Sequence, residues 1–274
     1  MVKRKIFEII TWVLLIGFAI FAIFPVYWAL ISSLKPEEEI VRNSYSPFPN
    51  NPSLEQYVKL FKDQPFARFL LNSFIVSFVA TAFALITSTT SGYIFAKFTF
   101  PFKNVLFMIV LATIMIPIQV YAIPLYLFVR NIGLINSLAG IIVPGIIMSM
   151  GIFFMKQNIE MIPDELIEAA RIDGASELKI FMRIIVPLSR SPMIAISIIS
   201  FTVMWNRFFW PLIVATSKDI YTSNLGLMLF QRVYATDYGA QMAGAFVVLF
   251  PPLLIFVFLR KYILEGIALS GIKG

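Results

Sequence analysis

Five stretches of this chain, Ile9–Leu34, Phe69–Ala96, Val105–Val129, Leu134–Met155 and Ala240–Leu259, contain no Asp, Glu, Lys or Arg. Each is long enough to cross a hydrocarbon core of about 30 Å as a helix, which takes about 20 predominantly apolar residues. A sixth stretch, Met193–Ala215, carries one charge, Arg207, beside Asn206. A backbone in lipid must satisfy its own hydrogen bonds, and a helix does so within the segment. The expected fold is therefore all-α, a polytopic bundle of six spans at about 9–34, 69–96, 105–129, 134–155, 193–215 and 240–259. Pro25, Pro117, Pro124, Pro144, Pro251 and Pro252 fall inside these runs, and neighbouring helices can re-satisfy the freed backbone. That predicts kinked helices in one packed domain over 1–274.

The composition agrees. Hydrophobic residues make up 59% of the chain and charged ones 14%, against about a quarter charged in a soluble domain. Mean hydropathy is +0.86. Cys and His are both absent, which removes thiolate chemistry, disulfides, the usual zinc sites and imidazole acid–base catalysis. The net charge of +7 suits a membrane protein, whose Lys and Arg gather in cytoplasmic loops, and gives no reason to invoke nucleic acid. Thirteen of the 22 Lys and Arg residues lie at or beside segments on the N-terminal side of the bilayer. This places both termini in the cytoplasm and makes the first span an anchor rather than a cleaved leader. No glycine-rich phosphate cradle is present, so the chain is expected to bind no nucleotide or other cofactor.

Within the long outer loop 35–68, "PSLEQYVKLF" has Ser53 three residues before Gln56, the spacing of a capping box. Leu54, Tyr57, Val58 and Phe61 follow one helical face, which predicts a short helix lying in the interface.

Between the fourth and fifth spans lies "EAARIDGASELKIFMRIIVPLSRSP", the longest charged stretch of the chain. A first helix is expected over 161–171, with Pro163 at its first position and Asp164 and Glu165 near its positive end. Asp173-Gly174 is a turn signal, with Gly174 free to take a left-handed conformation. A second helix is expected from Ser176 to Ile185, its Leu178, Phe181, Met182 and Ile185 at helical spacing, ended by Pro187 and Pro192. By residue chemistry alone this is either a solvated connection or a hairpin built for close contact through Ala169, Ala170 and Gly174.

The pattern Glu-Ala-Ala-x-x-Asp-Gly-Ala from Glu168, followed by I-x-x-P-L-x-x-x-P, resembles the cytoplasmic EAA loop of ABC importer permeases. "SSLKP", "NSFIVS", "MIPIQVYAIPLY", "NIGLINSLAGIIVP", "MWNRFFWPL" and "EGIALSGIKG" occur in the order and at the spacings of the maltose-type carbohydrate permeases. The resemblance covers nearly the whole chain. It implies a non-enzymatic subunit of the prokaryotic cytoplasmic membrane. The implied partners are a paralogous permease, two ATPase subunits carrying ATP and Mg, and an extracytoplasmic sugar-binding protein that delivers the carbohydrate. The hairpin at about 160–190 would then be the coupling helix, with Glu168, Ala169, Ala170, Asp173, Gly174, Ala175 and Phe181 meeting the ATPase. Glu168 would face a basic group there, and Phe181 and Met182 would anchor the second helix under the bundle.

In the same resemblance the fifth span lines the translocation path, which singles out Trp205, Asn206, Arg207 and Trp210. Trp and Arg are also ordinary interfacial anchors, so both roles stay open. The outer loop 216–239 corresponds to one that reaches the binding protein, and is otherwise a plain connection. The closing Gly271, Lys273 and Gly274 correspond to a tail that reaches the ATPases, with Ile272 where the family has a small residue; the alternative is a basic terminus among headgroups. An intramembrane enzyme would need paired carboxylates or a nucleophile with its base inside the spans. An ion-coupled transporter would show mid-span charges and inverted repeats. Neither pattern is present beyond Arg207.

Overall fold

The computed structural model describes residues 2–43, 45–231 and 237–271, and among these residues the ordered elements are all helical. By its internal contacts the chain divides into two compact units, Met1–Ala67 with Gly226–Phe250, and Arg68–Leu225 with Pro251–Gly274.

In the first unit α1 (Val2–Ser33) keeps its helix through Pro25. None of its most apolar window is buried by the rest of the chain, so that surface is left for lipid or another subunit. After Pro36, α2 (Glu37–Arg42) opens with three glutamates, which suit the positive end of a helix. The expected short helix is present as α3 (Glu55–Asp63), but its N-cap is Leu54 and the expected capping box does not form. Ser53 Oγ accepts the Glu55 N–H at 3.1 Å. Gln56 turns inward instead and donates to the Lys35 carbonyl at 3.2 Å. Leu54, Val58 and Phe61 stay exposed as an apolar stripe, as a helix lying in an interface requires. Lys59 pairs with Asp237.

In the second unit α4 (Phe66–Lys97) runs 32 residues without a proline. The next apolar run does not form one helix. It splits into α5 (Lys103–Ile114) and α6 (Ile118–Asn131), bent by 104°. Pro117 is the N-cap of α6; it disfavours helical geometry at Ile116 and cannot donate back into α5. The run after it is milder. Following α7 (Leu138–Ile142), Pro144 sits in a 3-10 turn and α8 (Ser149–Glu160) resumes after a 41° bend. The Ile146 carbonyl freed there accepts from Thr87 Oγ1 at 2.9 Å, the kind of side-chain repair that makes such breaks tolerable in a membrane.

Beyond α9 (Asp164–Ile172), α10 (Glu177–Ile180) passes through a π turn at Phe181–Ile185 into α11 (Val186–Leu188). Pro187 therefore does not end this helix as expected. The widened turn just before it accommodates a residue with no N–H to give and a ring that crowds the preceding carbonyl. The break comes at Ser189, where the axis turns 78° into α12 (Arg190–Trp205). Pro192 is the third residue of α12, where a missing N–H costs nothing because the first turn has no intrahelical acceptor. The fifth apolar run is also divided: α12 stops at Trp205 and α13 (Phe209–Val214) follows. After α14 (Ser223–Leu227), α15 (Tyr238–Gly271) carries Pro251 and Pro252 in its interior and continues past Arg260 and Lys261.

The second unit holds two packed clusters. One gathers Val76, Ala80, Val129, Ile141, Met204, Trp210 and Val214. The other joins Tyr93, Met155 and Ile196 to Ile162, Ile167, Ile180 and Ile185 of the hairpin region. The segment 216–223 is stitched down. Asn136 Oδ1 accepts from the Thr216 and Ser217 amides at 3.0 and 2.9 Å, and Asn72 Nδ2 donates to the Asp219 and Tyr221 carbonyls at 2.9 Å. Of the loop expected to meet a binding protein, 232–236 lie outside the described residues.

Candidate functional site

The charged stretch folds into two short helices and a turn whose chemistry is local. Asp164 and Glu165 occupy the first turn of α9 and Arg171 its last, each complementing the helix dipole. Pro163 stands at the N-cap, one place before the expected position. At the other end Gly174 has φ +76°. Its N–H goes to the Arg171 carbonyl at 3.0 Å, and the Ala175 N–H to the Ala170 carbonyl at 2.9 Å. These two bonds are a Schellman motif, which closes a helix through a left-handed residue and suits glycine for want of a Cβ. Asp173 is the C-cap.

Which face is buried differs from expectation. Ile162, Ile167, Ile180 and Ile185 form the inner side, with Ala170, Ala175 and Phe181 packed against them. Met182, expected with Phe181 to anchor the second helix, is 56% exposed, and Leu178, at helical spacing with it, is 72% exposed. The π turn at Phe181–Ile185 shifts Met182 off the 3.6-residue period, while Leu178, which precedes it, lies on the face of α10 away from the buried Ile180. Leu166, Ile172, Leu178 and Met182 thus stand exposed alongside Glu168, Ala169, Asp173 and Gly174. Of the seven residues read as the ATPase contact, the structure gathers the first five on or beside the exposed turn. Ala175 is half-buried and Phe181 is chiefly a packing residue, tilted against Tyr93 with ring centroids 5.7 Å apart.

The clamps that hold the hairpin were not visible in the sequence. Arg171 Nε donates to Glu177 Oε1 at 2.7 Å across the turn, and Tyr93 Oη donates to Glu177 Oε2 at 2.8 Å. Lys97 Nζ, nearly buried, pairs with Asp164 at 2.7 Å and also donates to the Ile162 carbonyl. The end of α4 is therefore tied to both helices of the hairpin. Beneath them Gly92 lets α4 approach α8, since a Cβ there would lie 2.7 Å from Met155 Cβ. The only cue in the sequence was Lys97, the first charge after a charge-free run.

Arg171 holds the Glu177 carboxyl below its usual range, aided by the Tyr93 hydroxyl and opposed by slight burial, and Glu177 in turn raises Arg171. A carboxyl whose folded pKa is depressed stabilises the fold above its unfolded pKa and loses that contribution as pH falls through the folded value. Both side chains are about two-fifths exposed, so solvent screening keeps the effect small. Limited proteolysis of the turn in membranes is expected to be unchanged near neutral pH and faster once pH falls below the ordinary carboxylate range. Arg171→Ala is expected to show the faster cleavage at neutral pH, and equal cleavage of parent and variant at every pH would remove the clamp from the account.

At the divided fifth run, Trp205 is 2% exposed and stacked on Phe201 with centroids 5.7 Å apart. Trp210 is fully buried and its indole N–H donates to the Gly140 carbonyl at 3.0 Å. Asn206, the C-cap of α12, is exposed. Arg207 is half-buried, with one guanidinium nitrogen lacking a partner among the described residues. The four residues are adjacent but not alike: the tryptophans pack inward, while Asn206 and Arg207 present polar groups where the helix is interrupted. Of the tail, Gly271 is the last residue of α15, and Lys273 and Gly274 lie outside the described residues. Among the described residues no three acidic side chains converge to hold a metal ion.

Residues 88–267, a range that contains the hairpin and the divided fifth run, match the family of binding-protein-dependent transport system inner membrane components. The chain belongs to this family. The relatives of this importer permease include the arabinooligosaccharides transport system permease protein AraQ of Halalkalibacterium halodurans, 32% identical over 99% of this chain and 100% of that one. The sn-glycerol-3-phosphate transport system permease protein UgpE of Escherichia coli is 30% identical over 93% of each. Among solved structures, a bacterial ABC transporter involved in import of the acidic polysaccharide alginate superposes with a TM-score of 0.82 at 21% identity, covering 95% of this permease and 97% of that chain. At that identity the likeness establishes a shared fold.

Proposed function

We propose that this permease forms half of the pathway of an ATP-driven carbohydrate importer. In this reading it spans the cytoplasmic membrane six times as one transmembrane domain, with each bent helix pair counted as one crossing and both termini cytoplasmic. It pairs with a paralogous permease, two ATPase subunits that hold ATP and Mg, and an extracytoplasmic sugar-binding protein. The observation that carries this is the hairpin: a turn closed by the Arg171–Glu177 ion pair and fastened to α4 by the Lys97–Asp164 ion pair and Tyr93, with Leu166, Ile172 and Leu178 exposed beside Glu168, Ala169 and Gly174. Rigid fastening on one side and exposed apolar surface on the other is what a mechanical joint needs, since a loose connection would absorb a push from the ATPase. The relatives named for arabino-oligosaccharides and glycerol phosphate support a carbohydrate or polyol-phosphate cargo. Co-purification tests the assembly. The tagged permease is expected to retain one dissimilar permease and two ATPase copies, and a transport-competent homodimer without an ATPase would sink the proposal.

Within this reading the cargo passes the interruption after α12, where Asn206 and Arg207 offer hydrogen bonds in an otherwise apolar run. Polar groups placed at membrane depth are costly unless they line a cavity or pair with another group. Losing one hydrogen bond to cargo costs about 0.5–1.5 kcal/mol, so Asn206→Ala should lower uptake several-fold with assembly intact. Unaltered kinetics in Asn206→Ala and in Arg207→Gln would assign both side chains to anchoring. The tail through Gly271, Lys273 and Gly274 completes the proposal as a second contact with the ATPases.

A further inference from the structure

The first unit contains a cavity of about 260 Å³ lined by Trp28, Ser32, Lys35, Ile40, Tyr45, Tyr238 and Met242. Nothing in the proposed coupling or path uses it. Lys35 is 1% exposed as a residue and yet lines this cavity. Its Nζ donates to the Ser46 carbonyl at 2.7 Å and stands 5.5 Å from the centroid of the Trp28 ring. An ammonium has three donors, so two remain beyond the Ser46 bond, and no carboxylate pairs with Lys35 among the described residues. A cation taken out of water is expected to be paired or hydrogen-bonded. This one rests on a carbonyl and an aromatic face at the wall of an open cavity.

The other lining groups narrow the ligand. Tyr45 and Tyr238 are 90% and 50% exposed, so their ring faces and hydroxyls are available, and Ser32 adds a further hydroxyl. Aromatic faces pack against the C–H surface of a sugar ring, while hydroxyls and an ammonium bind its oxygens. The volume falls just short of the about 300–1,000 Å³ of pockets for drug-sized ligands, which leaves room for a single sugar unit. We infer that this cavity is an entry subsite for one sugar unit bearing an acidic group, a carboxylate or a phosphate, whose negative charge is met by Lys35. The inference rests on the importer reading only for its role in entry; the binding event stands or fails without it.

The test uses the full chain in nanodiscs of zwitterionic lipid, titrated with D-galacturonate, D-galactose, sn-glycerol 3-phosphate and inorganic phosphate by calorimetry. Saturable binding of galacturonate or glycerol phosphate, at least about tenfold tighter than galactose, is expected from the loss of one charge-assisted hydrogen bond in the neutral sugar. The two acidic probes distinguish a uronate from a phosphate site. Lys35→Met should abolish that preference. Because Lys35 also holds the Ser46 carbonyl, Tyr45→Ala supplies a variant at a side chain whose exposure leaves folding untouched, and it should weaken the acidic probes several-fold. Trp12→Ala, on the exposed face of α1, should leave them unchanged. Three outcomes would overturn the inference: neither acidic probe binding more tightly than galactose, inorganic phosphate binding as tightly as the better acidic probe, which would mark a bare anion site, or phosphatidylglycerol nanodiscs abolishing the binding of both acidic probes, which would mark a lipid-headgroup site. Failed uptake with retained acidic-sugar binding would count against the importer reading alone.

Discussion

Gly174→Val is expected to abolish binding-protein-stimulated ATP hydrolysis and sugar uptake while leaving the chain inserted in the membrane. Gly174 holds φ +76° as the left-handed residue that closes α9. A β-branched side chain forced into that region costs of order 1–3 kcal/mol, which is enough to unwind the last turn of a nine-residue helix. Nothing in this chain lies within 4 Å of the position a Cβ would take. Steric harm from valine is therefore directed outward, at whatever docks on the turn, and adds to the backbone strain. Glu168→Lys makes the complementary change. It leaves the Schellman turn and the clamps alone but reverses the charge of an exposed residue on the face proposed to dock. If Glu168 meets a basic group there, breaking a desolvated pair costs about 3–5 kcal/mol, so coupling should fall by about 100-fold or more. Reconstituted complexes of both variants, assayed for stimulated hydrolysis and uptake beside the parent, decide the matter. Normal values in both would reduce the hairpin to a connecting loop.

The second large effect is expected at Trp210, for a different reason. Trp210→Ala should fail through instability rather than through loss of a sugar contact. Its ring is fully buried among Val76, Ala80, Val129, Ile141, Met204 and Val214, and its N–H satisfies the Gly140 carbonyl. Truncating a buried tryptophan costs about 3–5 kcal/mol, and the orphaned carbonyl adds to this. The expected result is a large drop in thermal unfolding temperature in detergent and poor recovery of the complex. Asn206→Ala, four residues away, should keep the parent's unfolding temperature and lose uptake. A Trp210→Ala protein of normal stability with impaired uptake would reverse the assignment and put the ring in the path. Set side by side, the two variants separate a packing role from a path role within one short stretch.

The apolar runs dictated helices, because a chain with so few charges has no water-facing surface to spare and runs of about 20 unbroken apolar residues let a lipid-embedded backbone satisfy itself within the segment. Asp173-Gly174, Pro163 and the flanking acids also marked the hairpin's turn, and its helix start to within three residues, since capping depends on side chains adjacent in sequence. Membership of the importer permeases was likewise written in the order of the motifs.

What lay beyond the sequence was anything decided by partners distant along the chain. The prolines announced bends but not that Pro117 would turn its run through 104° or that Pro187 would be absorbed by a π turn, because the angle depends on which neighbours take up the freed carbonyls. Helical spacing put Leu178, Phe181, Met182 and Ile185 together, with Phe181 and Met182 expected to anchor the helix. The π turn altered the register past Ile180, leaving Met182 exposed, and Ile185 went inward as expected together with Ile180, which the spacing had not included. Tyr93 and Lys97 became the hairpin's fasteners, and the tryptophans parted company with Asn206 and Arg207, only once separated helices met. Local chemistry set the helices and their caps; long-range packing decided which face of each was buried and which was left for a partner.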